Sequence, residues 1–133
     1  MPTVLYIDDV LQALAIRKSM LESQGYDVLI ASDGLSGIET ARSHHIDAVL
    51  LDYDMPGMRG DEIATILKRE QPQVPIIVLT GNSWDVPEML LRISDGCVEK
   101  GAGPAVLLDA VEQALKLCPK PIRPAGRQSK AGR

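Results

Sequence analysis

Phenylalanine is missing from this 133-residue chain, tryptophan occurs once and tyrosine three times. So few aromatics near the strand ends expected below disfavour a flavin-binding protein. Cysteine is almost as scarce. Cys97 and Cys118 lack metal-ligand spacing and read as small buried or half-buried residues of a chain kept in a reducing cytoplasm. No apolar run approaches the ~20 residues of a membrane span. The opening "MPTVLYIDDV" has no basic n-region and no cleavage pattern, so the reading is a cytoplasmic chain that is neither secreted nor membrane-bound. Positive charge is also thin. The segment Pro119–Arg133 holds Lys120, Arg123, Arg127, Lys130 and Arg133 and no acid, which leaves 9 basic against 18 acidic residues in the first 118 positions. A body with a net charge of −9 repels a polyanion, and nucleic-acid binding by it is disfavoured.

What is present suits one soluble domain. Apolar content is 45% and charged content 24%, enough for a core and ordinary for a globular chain. Residues 1–118 read as that domain, and 119–133, basic with three prolines, as a linker or tail. Five β-rich runs alternate with five amphipathic stretches: Thr3–Asp8, Asp27–Ala31, Asp47–Leu51, Pro75–Thr80 and Gly96–Lys100. The third and fourth are nearly continuous apolar segments, as central parallel strands covered on both faces should be. Leu108, Val111 and Leu115 predict the buried face of a last helix that opens at Pro104. Asp85 to Glu88 reads as a cap opening a short fourth helix, and Gly25 as the stop of the first. This alternation predicts an α/β fold, a parallel sheet with helices on both faces.

In such a sheet, ligands gather at the carboxyl ends of the strands where strand order reverses. The run "VLLDYDMPGM" delivers Asp52 to that edge, with Asp54 just beyond; the first strand delivers Asp8 and Asp9, the fourth Thr80, the fifth Lys100. Two carboxylates ~5 Å apart repel by roughly 3 kcal/mol at an effective dielectric of ~20. A cluster of that kind persists by binding a cation or holding a proton. All-oxygen donors suit Mg²⁺, with Mn²⁺ an alternative, rather than zinc. A carboxylate beside such a cation can attack phosphorus, with Lys100 and the Thr80 hydroxyl donating to the phosphoryl oxygens.

The landmarks "IDD", "LLDYDMPGMRG", "IIVLTG" and "VEKG", in that order and spacing, make the chain resemble receiver domains of two-component response regulators from Thr3 to Leu117. The resemblance implies a flavodoxin-like doubly wound five-stranded parallel sheet, order 2-1-3-4-5, with five helices. It implies phosphorylation of Asp52 by a sensor histidine kinase or phosphotransfer protein, with later hydrolysis. It makes Asp9 and Asp52 metal ligands, with Asp54 through its backbone carbonyl and Asp8 through water. Thr80 and Lys100 would hold the phosphoryl group. Output to a downstream protein would use the face of the fourth helix, fifth strand and fifth helix, which could also form a homodimer.

Two positions depart from the family. Cys97 stands where an aromatic usually tracks phosphorylation, so the switch region is expected to involve Gly81, Asn82 and Trp84 instead. Gly101 follows the lysine where proline is common, and a trans bond is expected, since a cis one without proline costs ~2.5–4 kcal/mol. Blander readings accompany the motifs. Asp8 and Asp9 could simply cap a helix, "SDGLSG" is a strand-to-helix turn, and His44 and His45 belong to the surface. A haloacid-dehalogenase-type phosphatase would explain "LLDYD", but its motif belongs on a first strand and the chain has no room for a cap. A receiver-like interaction module that works without phosphorylation is the other rival.

Overall fold

The computed structural model of the chain describes residues 1–117, so the basic segment and Cys118 lie outside the described residues. Strands β1 (Thr3–Ile7), β2 (Asp27–Ala31), β3 (Ala48–Asp52), β4 (Ile76–Thr80) and β5 (Gly96–Glu99) form one sheet. The order is β2-β1-β3-β4-β5 and every pairing is parallel. Between the strands run α1 (Leu11–Ser23), α2 (Gly34–Ser43), α3 (Gly60–Glu70) and α4 (Glu88–Ile93), and α5 (Pro104–Leu117) follows the last. This is the doubly wound five-stranded fold with five helices that the sequence led us to expect.

Strand alternation divides the core in two. Leu5, Ile7, Val49, Leu51, Ile76 and Val78 face α2, α3 and α4, where Ile38, Ile63, Leu67 and Leu90 meet them. Val4, Tyr6, Leu50, Ile77 and Leu79 face α1 and α5, against Leu14, Leu21, Leu107 and Val111. β3 and β4 are buried at every position, which is why both read as unbroken apolar runs.

Two local expectations need correction. The fully buried stripe of α5 is Leu107, Val111 and Ala114; Leu108 and Leu115 are only half-buried at its margin. Val111 is buried as expected, and Leu108 and Leu115 pack against the same core layer from its rim, because an apolar face about 100° wide holds both a fully buried centre and half-buried margins. Asp85 does not cap α4 either. It closes a short 3₁₀ turn, Ser83–Asp85, and α4 starts after Pro87 without a side-chain cap. The Pro87 ring fixes φ near the helical value and supplies no donor that needs a partner. Gly25 does end α1, at φ +94°, a conformation other residues adopt only with strain. "SDGLSG" is a turn whose later part already belongs to α2, where Asp33 caps the helix by accepting from the Ser36 N–H at 2.8 Å. His44 and His45 are exposed.

Candidate functional site

The strand order reverses between β1 and β3, and their carboxyl ends bring acids together. Asp8 and Asp52 are each 1% exposed and Asp9 is exposed. One oxygen from each of Asp8, Asp9 and Asp52 lies within 4.8 Å of the others. Asp52 is the last residue of β3, held by ladder hydrogen bonds in register with Leu79, so its carboxylate cannot retreat to solvent.

Its two oxygens differ. Oδ1 is 2.8 Å from Lys100 Nζ and accepts the Asp54 N–H at 3.0 Å. Oδ2 is buried with no hydrogen-bond partner. Burial pushes the Asp52 carboxyl above its ordinary range; Lys100 and the Asp54 N–H pull it down, and the neighbouring Asp8 adds to the rise. Burial would lower the Lys100 ammonium, but its hydrogen bond to Asp52 and the surrounding acids win, and it is held above its usual value. Lys100 opens a 3₁₀ turn, Lys100–Ala102, that ends at Gly103 with φ +99° and ψ 163°. That backbone region is essentially closed to residues with a Cβ, so the turn after Lys100 requires glycine at position 103.

Asp54 spans the mouth of the site. Its Oδ2 accepts the Gly81 N–H at 2.8 Å and lies 3.5 Å from Lys100. The Thr80 side chain is fully buried and turned into its own loop: the hydroxyl donates to the Asn82 carbonyl and accepts the Asn82 N–H, both at 3.1 Å. Asn82 Oδ1 accepts the Trp84 N–H at 3.0 Å, and the Trp84 side chain is 91% exposed. Cys97 is half-buried beside the core layer under α3 and α4, its thiol pushed up by burial and then by Glu99. Asp8, Asp9, Asp52, Asp54, Thr80 and Lys100 thus gather at one sheet edge, while Gly81, Asn82 and Trp84 form the loop beside it.

Sequence reasoning missed two participants. The Tyr6 hydroxyl donates to Asp8 Oδ2 at 2.5 Å and accepts from Arg17 Nη1 at 2.9 Å. Burial first, then the hydrogen bond to Asp8, raises the Tyr6 phenol, so it is neutral. The available signal was a tyrosine inside an otherwise aliphatic strand: a buried phenol needs a polar partner, and Asp8, two residues on, shares its face.

Three buried or rim carboxylates, one with an unpaired oxygen, are an all-oxygen donor set that fits a hard dication such as Mg²⁺. Known proteins bear on this arrangement. Residues 4–112 match the family model described as the response regulator receiver domain. The chain is 34% identical over 100 residues to the autoinducer 1 sensor kinase/phosphatase LuxN of Vibrio harveyi, covering 74% of this chain and 12% of that protein. It is 30% identical over 116 residues to the transcriptional regulatory protein PrrA of Mycobacterium tuberculosis, covering 87% of this chain and 49% of that one. The chain therefore spans half or less of the length of these relatives. The response regulator TrrA of Thermotoga maritima, solved in complex with Mg²⁺-BeF, superposes with a TM-score of 0.81 at 27% identity, covering 86% of this chain and 99% of that one. TrrA in complex with the histidine kinase ThkA gives 0.80 at 29%, with the same coverage.

Proposed function

The chain belongs to the response regulator receiver domain family, and we infer that it takes a phosphoryl group onto Asp52 and changes conformation in response. It is a receiver whose Asp8–Asp9–Asp52 cluster is positioned for Mg²⁺-dependent phosphoaspartate chemistry, not a stand-alone catalyst. The observation that carries the choice of Asp52 is its unpaired Oδ2, a buried carboxylate oxygen with no hydrogen-bond partner.

In the proposed step an Asp52 oxygen attacks the phosphorus of a phosphohistidine. The P–N bond breaks, the imidazole leaves with the electron pair, and an acyl phosphate forms. Asp9 and Asp52, the Asp54 backbone carbonyl and, through water, Asp8 would hold Mg²⁺, whose charge would offset that of the phosphoryl oxygens. Lys100 exchanges its pairing with Asp52 Oδ1 for a phosphoryl oxygen, keeping its charge where negative charge accumulates. Thr80 releases the Asn82 carbonyl and turns its hydroxyl to the same group, and that change carries the signal into the Gly81–Trp84 loop.

The donor is a sensor histidine kinase or phosphotransfer protein, supported by the likeness to TrrA, which was solved with a histidine kinase. Residues 1–118 act as the receiver and 119–133 as a linker or tail. A downstream protein reads the α4–β5–α5 face. Among the described residues no helix is long and apolar enough to cross a membrane, and we place the domain in the cytoplasm.

Intact mass after incubation with acetyl phosphate and Mg²⁺ tests the reading. One phosphoryl group is expected on the wild type, and none on Asp52→Asn or with a chelator. Absence of label with Mg²⁺ bound would favour the phosphorylation-independent module. Continued turnover of a phosphate ester would favour the phosphatase.

A further inference from the structure

Both oxygens of Asp8 accept a hydrogen bond within the structure. Oδ1 accepts the Val10 N–H at 2.9 Å, and Oδ2 accepts the Tyr6 hydroxyl. The same Oδ2 lies 3.8 Å from Arg17 Nη1, so a cation stands beside one member of the carboxylate cluster. The arrangement follows from the fold. Tyr6 and Asp8 share the sheet face covered by α1, and α1 turns Arg17 toward that face between Leu14 and Leu21. The Arg17 side chain is only 20% exposed, so its charge is weakly screened, and the Tyr6 hydroxyl pins it by accepting from Nη1 while donating to Asp8.

We propose that Arg17 and Tyr6 are positioning residues that set how strongly the Asp8–Asp9–Asp52 cluster takes up a divalent cation, Arg17 lowering that affinity. The proposal rests on reading the cluster as the Mg²⁺ site. Three carboxylates attract the cation, while Lys100 on Asp52 and Arg17 on Asp8 oppose it. Lys100 can swing to an incoming phosphoryl group, but Arg17 is tied to the Tyr6 hydroxyl and stays beside Asp8. Arg17 therefore subtracts a constant charge from the site, which keeps cation uptake weak and reversible while leaving the metal-free cluster tolerable. If the triad only satisfied buried polar atoms, its loss would lower the stability of the metal-free and metal-bound forms alike and leave the affinity unchanged.

Calorimetric Mg²⁺ titration of the full chain at fixed ionic strength separates these cases, with the Mg²⁺-induced rise in melting temperature as a second readout. Arg17→Met should bind Mg²⁺ about tenfold more tightly, the effect of one partly screened unit charge a few ångströms from the ion. Arg17→Lys, which keeps the charge, should stay within about threefold of the wild type on the same argument. Tyr6→Phe, which unpins Arg17 and frees one lone pair of Asp8, should shift the affinity in the same direction by a smaller factor. If Arg17→Met does not fold, Arg17→Gln takes its place. Unchanged or weaker binding in the charge-removing variant, with wild-type binding intact, would overturn the inference. Failure of the wild type itself to bind Mg²⁺ would instead overturn the reading of the cluster as a metal site.

Discussion

Asp8 and Asp52 sit at the ends of neighbouring strands, equally buried at 1% exposure, yet they are in different conditions. At the end of β1, both Asp8 oxygens have donors and a guanidinium stands close by. At the end of β3, Asp52 has one satisfied oxygen and one with no partner. Burial is shared, so it does not distinguish a structural carboxylate from a reactive one. Completeness of hydrogen bonding does, because a buried acceptor without a donor costs the fold roughly 1–3 kcal/mol and needs a reason to persist.

The largest effect that tests this contrast is chemical and close to all-or-none. Asp52→Asn should abolish the single phosphoryl addition from acetyl phosphate in intact-mass measurement, whereas Asp8→Asn should slow it through weaker metal binding without removing the site. The two substitutions should also move stability in opposite directions. In metal-free protein, Asp52→Asn removes a buried charge whose burial is unfavourable and lets the amide N–H group donate toward Asp8, so the melting temperature should rise by several degrees. Asp8→Asn strips Arg17 of its counter-ion and should cost about 1–2 kcal/mol. A fall in both variants would erase the distinction between the two strand ends.

The second prediction is the pH dependence of the Asp52 contribution. The folded carboxyl lies above its unfolded value, chiefly through burial. Such a group contributes stability that is present below the unfolded pKa and is lost as pH rises through the folded pKa. The stability advantage of Asp52→Asn over wild type should therefore be small in acid and grow toward neutral pH. Chemical denaturation in chelator across that range reads the slope directly. A gap that shrank with rising pH would mean that Lys100 outweighs burial.

Third, Lys100→Met should destabilise the metal-free protein, because Asp52 loses the cation 2.8 Å from Oδ1. The loss should largely disappear in the double variant with Asp52→Asn, giving a coupling of about 1–2 kcal/mol in the cycle. Additive effects would show that Lys100 does not act through Asp52.

The sheet and the strand-end residues were legible because both depend on one-dimensional patterns: apolar runs of strand length, with a polar residue at the end of the first, third, fourth and fifth. Asp8, Asp9, Asp52, Thr80 and Lys100 follow from that punctuation and from the parallel topology. The Tyr6–Asp8–Arg17 cluster did not follow, since it needs the rotational phase of α1 against β1, and α1 is buried only at Leu14 and Leu21. Helix phase also decides that Leu107 and Ala114 join Val111 at the centre of the α5 face, with Leu108 and Leu115 at its margin. Asp85 misled for another reason. It has the residue type of a cap, but the backbone of Pro87 already starts α4, and local side-chain signals yield to a proline that fixes φ.

The smallest expected effect concerns the loop between the two strand-end chemistries and the solvent. Trp84 is 91% exposed, so Trp84→Ala should change stability by less than about 0.5 kcal/mol. Its backbone is nevertheless tied to the site: the Trp84 N–H donates to Asn82 Oδ1, and Asn82 exchanges both of its backbone groups with the Thr80 hydroxyl. If the hydroxyl leaves the Asn82 carbonyl for a phosphoryl oxygen, the Asn82–Trp84 turn loses its anchor. Phosphorylation should then give a modest change in Trp84 emission, together with altered amide exchange at Gly81 and Asn82, in the wild type and not in Thr80→Ala. Cys97 is too small to swing between an inner and an outer position as a large aromatic ring would, so this backbone route is the one that remains. Unchanged emission, and unchanged amides from residue 80 through 115, in fully phosphorylated protein would leave Asp52 as a site that is modified without being heard.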